Sequence, residues 1–400
     1  MKKLTSVFLF LSAVFIFTSC DDENTTLIPA PNGNSILYNL GSKDVSGISG
    51  TAIFNENEDG SITAVLQISG TPDGGVHPAH IHFNSAIEGG DIALTFNPVN
   101  GDNGRSVTTF STLNDGTSIS YNEILNFDGY INVHSGAGDQ LSTIVAQGDI
   151  GENALKDNLI TYDLGEKAVA GISGTLTFAE RNNGETLATI MLSNTPAGGS
   201  HPAHIHANTA VEGGGILFSF NAVNGDTGMS MTNVSMFDNG SDFMYSDIAD
   251  LDAYVNVHLS ATDLATIVAQ GDIGQNDLTG DEKVYTLNEK DVAGISGTAT
   301  FYKRVNGTAL AVLNIMNTPA GGMHPAHIHN NDIATGGGIA FTFNVVDGDT
   351  GMSMTQVEAL DDSTPITYDE ILTFNGYINV HLSATQLATI VAQGNIGSNE

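Results

Sequence analysis

The chain of 400 residues contains a single cysteine, Cys20. No disulfide can close within it, so the folded part must be held by hydrophobic cores or by bound metal. Positive charge is scarce as well, with 11 Lys and Arg against 45 Asp and Glu and a net charge of −34. Such a surface repels phosphate backbones and anionic lipid head groups, which excludes nucleic acid as a partner, and it attracts divalent cations or basic protein patches. The one long apolar run, Val7 to Phe17, is too short to span a membrane as a helix. Nothing has the form of a nucleophile with its base, a phosphate loop or a paired-carboxylate site, so no catalytic residue is assigned.

What is present begins at the amino terminus. Met1-Lys2-Lys3, the apolar run and Thr18-Ser19-Cys20 read as a signal peptide over residues 1–19, with Cys20 where the lipobox of bacterial lipoproteins places its diacylated cysteine. Asp21-Asp22-Glu23 resembles the acidic export signal of Bacteroidetes surface lipoproteins. The expectation is a protein anchored to the outer membrane through lipidated Cys20, facing the cell surface or, alternatively, the periplasm. Residues 20–35, with Pro29 and Pro31, read as a solvated tether. Loss of Lys2 and Lys3 leaves nine basic residues against 45 acidic ones.

The chain then repeats itself. Val45-Ser46-Gly47-Ile48-Ser49-Gly50-Thr51 returns at Val169 to Thr175 and at Val292 to Thr298, and His77-Pro78-Ala79-His80-Ile81-His82 returns from His201 and from His324. A period this long is that of whole domains, about 100 to 150 residues each, rather than of a solenoid. The spacing predicts three copies at residues 36–152, 159–275 and 283–400, joined by polar linkers at Asn153 to Asn158 and Asn276 to Glu282.

Within a copy the runs are short, rich in Val, Ile, Thr and Phe, and punctuated by Gly, Asn and Asp. In the first copy strands are expected near Gly47 to Phe54, Ser61 to Ser69, Ala79 to Phe83, Ile92 to Phe96, Ser106 to Phe110, Gly129 to His134 and Ser142 to Ile150. Tyr121 to Leu125 reads as a short helical turn. Such a series of strands and turns predicts an all-β chain of three tandem antiparallel sandwich or barrel domains.

All 12 histidines fall at four equivalent positions per copy. They are His77, His80, His82 and His134; His201, His204, His206 and His258; and His324, His327, His329 and His381. Elsewhere the copies have drifted: Asn55 to Ser61 reads NENEDGS where the counterparts read AERNNGE and YKRVNGT. Residues two apart on a strand share a face, so His80 and His82 project together. His134 follows the alternation of Tyr130 and Asn132. If the two strands are neighbours, three imidazoles can converge on copper or zinc, up to one ion per copy. His77 precedes Pro78 at the strand entrance and could close the site as a fourth ligand or gate it. The alternative is a structural network whose ring nitrogens are satisfied by backbone carbonyls, Asn132 and Tyr130.

The paired motifs His77 to His82 and Tyr130-Ile131-Asn132-Val133-His134 resemble the CHRD domain, first described in chordin and found in many bacterial secreted proteins. The resemblance covers nearly all of each copy and implies an immunoglobulin-like β-barrel. In the animal proteins it implies binding to secreted growth factors. The family's usual ending, Gly-Glu-Ile-Arg-Gly-Gln, is replaced here by Ala146-Gln147-Gly148-Asp149-Ile150, so contacts made by its charged residues are not carried over. The His80-x-His82 pair also resembles the copper ligands of Cu/Zn superoxide dismutases. Arg105, Arg181 and Arg304 do not recur as a set, and the chain lacks a cysteine pair, so that chemistry is not expected.

Three further features read as structure. Glu88-Gly89-Gly90, Glu212 to Gly215 and Gly336 to Gly338 are turns needing positive φ. Gly101-Asp102-Asn103-Gly104 and its counterparts at Gly225 and Gly348 read as hairpin turns rather than Ca²⁺ loops. Met229-Ser230-Met231 and Met352-Ser353-Met354 read as core or edge packing rather than a Cu(I) site. The leading expectation is a multivalent module binding an extracellular protein or polymer, each copy with a possible metal site. A metal-dependent redox or hydrolytic enzyme at the histidines, and a plain structural spacer, are the alternatives.

Overall fold

The computed structural model describes residues 31–400. The expected signal peptide, with Cys20 and the acidic triplet after it, lies outside the described residues. Of the expected tether only residues 31–35 are described, and they belong to the β-strand Pro31–Ser42, whose Tyr38 and Leu40 are buried.

The described chain is all-β, built on three curled antiparallel sheets. Seven of the strands in the first copy are those expected: Ser49–Asn57, Ile62–Ser69, Ala79–Phe83, Ile92–Thr95, Arg105–Phe110, Asp128–His134 and Ile144–Gly151. Their alternation drives them. In Ile62–Ser69 the residues Ala64, Leu66 and Ile68 are buried while Gln67 and Ser69 face solvent. Two-residue strands at Val76–His77 and Val99–Asn100 complete a ten-stranded sheet. The sheet of the second copy closes as an eight-stranded barrel, and the third copy has a curled eight-stranded sheet with a separate two-stranded one. Tyr121–Leu125 is the helical turn expected, matched by Tyr368–Ile371 in the third copy and by a 3-10 turn at Tyr245–Asp250 in the second.

The opening strands do the closing. Leu159 to Leu164 pairs along Ser173–Arg181, and then Gly165 and Glu166 pair with Gln270 and Ala269 of Asp263–Gly274. One strand thus serves both sides of the barrel and leaves no open edge there. Inside lie Leu176, Phe178, Ile190, Ile205, Val255, Val257 and Phe243. The third copy repeats this with Phe301, Leu313, Ile328, Ile378 and Val380.

The chain divides into two compact units: residues up to 81, 92–126 and 131–148 in one, and 82–91, 127–130 and 149–400 in the other. The second unit corrects the expected linkers. Leu155–Glu166 and Leu278–Glu289 are single strands, each separated from the preceding strand by three residues, so Asn153 to Asn158 and Asn276 to Glu282 are not free tethers. Arg181 and Arg304, both fully buried, occupy equivalent positions and reach back to the preceding copy. Arg181 donates to Asp149 at 2.7 Å and to the Asn153 carbonyl; Arg304 donates to Asp272 at 2.7 Å and to the Asn276 carbonyl. Removing one partner of such a buried pair costs about 3–5 kcal/mol, since the other charge is left uncompensated.

Candidate metal centre

In the second copy the strand Ser200–Ala207 lies antiparallel to Asp252–Ser260, with His204 opposite Asn256 and His206 opposite Tyr254. Ala203, Ile205, Val255 and Val257 point into the core with no exposure, so alternation turns His204, His206, Tyr254, Asn256 and His258 to the other face. The three imidazoles converge there, their ligand atoms within 4.8 Å of one another. His327, His329 and His381 form the same group in the third copy. The first copy keeps the individual contacts: His80 Nδ1 to His134 Nε2 at 3.2 Å, and His82 Nδ1 to the Gly90 carbonyl at 2.9 Å.

Hydrogen bonds settle which nitrogen each ring offers. A carbonyl only accepts, so His206 donates from Nδ1 to Gly214 at 3.0 Å and His258 donates from Nδ1 to Leu264 at 2.7 Å. In the neutral rings both Nε2 atoms then carry lone pairs. The His206 Nε2 is buried with no hydrogen-bond partner among the described residues, as is that of His329. His258 Nε2 lies 3.1 Å from His204 Nδ1, a spacing repeated between His381 and His327. Each His-x-His second ring is stacked on a tyrosine, His206 on Tyr254 at 5.1 Å and His329 on Tyr377 at 5.0 Å. Asn256 does not bond these rings; it accepts from Gln270 at 2.8 Å. The expected network thus has its carbonyls, while its asparagine is engaged elsewhere and its tyrosine contributes a ring face.

Burial, then repulsion from His258 and His206, holds the His204 imidazole below its usual range, with Asp238 partly opposing. Burial also lowers His258, against the carbonyl of Leu264. His327 and His381 are lowered by the same causes. Lowering favours the neutral form of these four rings, the form that ligates metal.

The first histidine of each set stands apart from the converging group. His201 is 1% exposed, and its Nδ1 donates to the backbone carbonyl of His258 at 3.2 Å; His77 and His324 hold the carbonyls of His134 and His381 in the same way. Its Nε2 faces the backbone of Gly199, where any Cβ would collide with it. It latches the strand carrying His258 and stays outside the converging group.

The secondary features resolve as structure. Gly89, Gly213 and Gly336 have positive φ, as expected of these turns. The next glycine, Gly214, packs its Cα against the Ala207 carbonyl so closely that no side chain fits. Asp226 and Asp349 accept from the amides of Gly198 and Gly321 at 2.7 Å, bracing the loop before each histidine strand. Met229, Met352 and Met354 are exposed by 38–43%, which places them on the sheet surface rather than in the core.

Sequence reading missed Arg181 and Arg304 with their partners. The signal was present as a complementary pattern: Asn57, Arg181 and Arg304 at one repeat position, and Asp149, Asp272 and Asn395 at another. Charge appears only where two copies meet.

No family model matches the chain, and no curated protein matches it. Among solved structures, a BSP domain of a biofilm associated protein aligns over 95% of this chain and 84% of that one at 10% identity, with a TM-score of 0.15. That score is too low to show a shared fold.

Proposed function

We propose that this protein is a lipid-anchored, surface-facing array of CHRD-like domains, each holding one copper or zinc ion on its three converging histidines. One observation carries the reading: in the second and third copies the Nε2 of His206 and of His329 is buried, fixed by a carbonyl on the other side of its ring, and grouped with two further imidazoles, with no hydrogen-bond partner among the described residues. Leaving such an acceptor unmade is costly, and a carbonyl behind each ring is the usual outer support of a metal-bound histidine.

The donor set fits. Metal–nitrogen bonds of about 2.0–2.1 Å at tetrahedral angles place ligand nitrogens about 3.3 Å apart, and His204 Nδ1 and His258 Nε2 stand 3.1 Å apart. A metal there would displace the proton shared between these two rings. With the proton carried on Nε2 instead, the His204 ring would stay neutral and its Nδ1 could hold the ion. The acidic surface supports capture by concentrating cations near the sites. Three sites on one anchored chain suit multivalent attachment to an extracellular polymer or protein, because tethering raises the effective concentration of each site.

The test is elemental analysis of the mature chain carrying Cys20→Ser, purified without tag histidines and loaded with Cu²⁺ or Zn²⁺. Up to three equivalents are expected, lost when His82, His206 and His329 are replaced by alanine. A chain that retains no metal after loading and desalting overturns the reading.

A further inference from the structure

We propose that Arg304 is a positioning residue for the histidine site of the copy before its own, and that Arg181 does the same one copy earlier. The proposal rests on the metal reading of those histidines. Two routes run from the guanidinium to the site. Arg304 donates to Asp272 Oδ2 at 2.7 Å, and Asp272 Oδ1 accepts from the Ala210 amide at 2.7 Å. Arg304 also donates to the Asn276 carbonyl, and the Asn276 side chain donates to the Asn208 carbonyl at 3.1 Å. Asn208 and Ala210 begin the turn that ends at Gly214, whose carbonyl holds His206 Nδ1 at 3.0 Å.

The guanidinium thus grips two of the groups that tie down the turn, and the turn's Gly214 carbonyl sets the tautomer and tilt of the His206 ring. A carboxylate held on its second oxygen by a buried arginine has little freedom to rotate away from Ala210. In the first copy Asp149 bridges Arg181 and the Ala86 amide, each at 2.7 Å.

The third copy provides the contrast within the same molecule. Its turn is held by neutral groups, Asn395 accepting from the Ile333 amide at 3.1 Å and Asn399 donating to the Asn331 carbonyl at 2.9 Å. No arginine supports either one among the described residues. The three sites are therefore unequal: the turns of the first two are braced by an arginine of the following copy, and the turn of the third is held by neutral side chains of its own copy.

The experiment uses the full mature chain in two single-site backgrounds. His82→Ala with His329→Ala leaves the second-copy site, and His82→Ala with His206→Ala leaves the third. Cu²⁺ affinity is measured by competition titration, the copper environment by electron paramagnetic resonance, and folding by thermal melting. Arg304→Met, which fills the same buried volume, is expected to weaken the second-copy site about tenfold, as loss of outer support does, and to change its copper spectrum. The third-copy site, although Arg304 belongs to that copy, is expected to be unchanged. Asp272→Asn with Arg304→Met reproduces the third copy's arrangement and should bring the second site to the third site's affinity and spectrum. Unchanged binding at the second site, or equal weakening of both, overturns the coupling while leaving the metal reading in place. A parent chain that binds no copper in either background overturns both.

Discussion

His201 and His206 lie on one strand and make the same first contact, each giving its Nδ1 proton to a backbone carbonyl and leaving a buried Nε2 without a hydrogen bond among the described residues. They differ in what that nitrogen faces. For His201 it is the backbone of Gly199, with no second imidazole in its group; for His206 it is His204 and His258. An unsatisfied ring nitrogen is therefore not enough to mark a candidate ligand. Convergence with other donors is what separates a latch from a site, and it depends on which residue lies across the next strand.

The comparison can be broken from either side. The largest effect is expected at the latch: His201→Ala empties a closed space and strands the His258 carbonyl, costing about 2–4 kcal/mol. Chemical denaturation should register that loss while loaded metal per chain stays the same; loss of the second-copy metal with unchanged stability would reverse the two roles. At the other end of the strand, His206→Ala removes a half-buried ring and should cost about 1 kcal/mol or less, yet abolish binding in that copy alone.

Acid sharpens the contrast between the converging rings and the rest. His204, His258, His327 and His381 have lowered values in the folded state. Below the usual imidazole range, near 6.5, the unfolded chain takes up protons before the folded one does. Stability of the metal-free protein is thus complete above that range and falls as pH drops through the lowered folded values. Denaturation from pH 7.5 to 5 should show this slope, and replacing these four rings by glutamine should flatten it. A slope that survives would place the titration elsewhere. Metal loading should fail over the same range, because protons compete for the ligand nitrogens.

Much of this was legible in the sequence. The threefold repeat, the strands around Ala79–Phe83 and Asp128–His134, and the shared face of His80 and His82 follow from period and alternation, which are local properties. The opening strand Leu155–Glu166 was not legible, since nearly all of its residues are exposed or half-buried and only Tyr162 and Leu164 reach the core. A strand that closes a barrel by its backbone leaves little hydrophobic pattern to read. The same exposure made Asn153 to Asn158 look like a linker.

The sequence by itself determined the repeat, the all-β class, the four histidine positions and the lack of any cross-link other than metal or core packing. Only the tertiary structure decided that three of those histidines converge while the fourth latches a carbonyl, and that Arg304 reaches past its own copy to Asp272. The physical reason is one of range. Alternation fixes a side chain's face within its own strand, whereas its partner is chosen by register and closure across strands far apart in the chain.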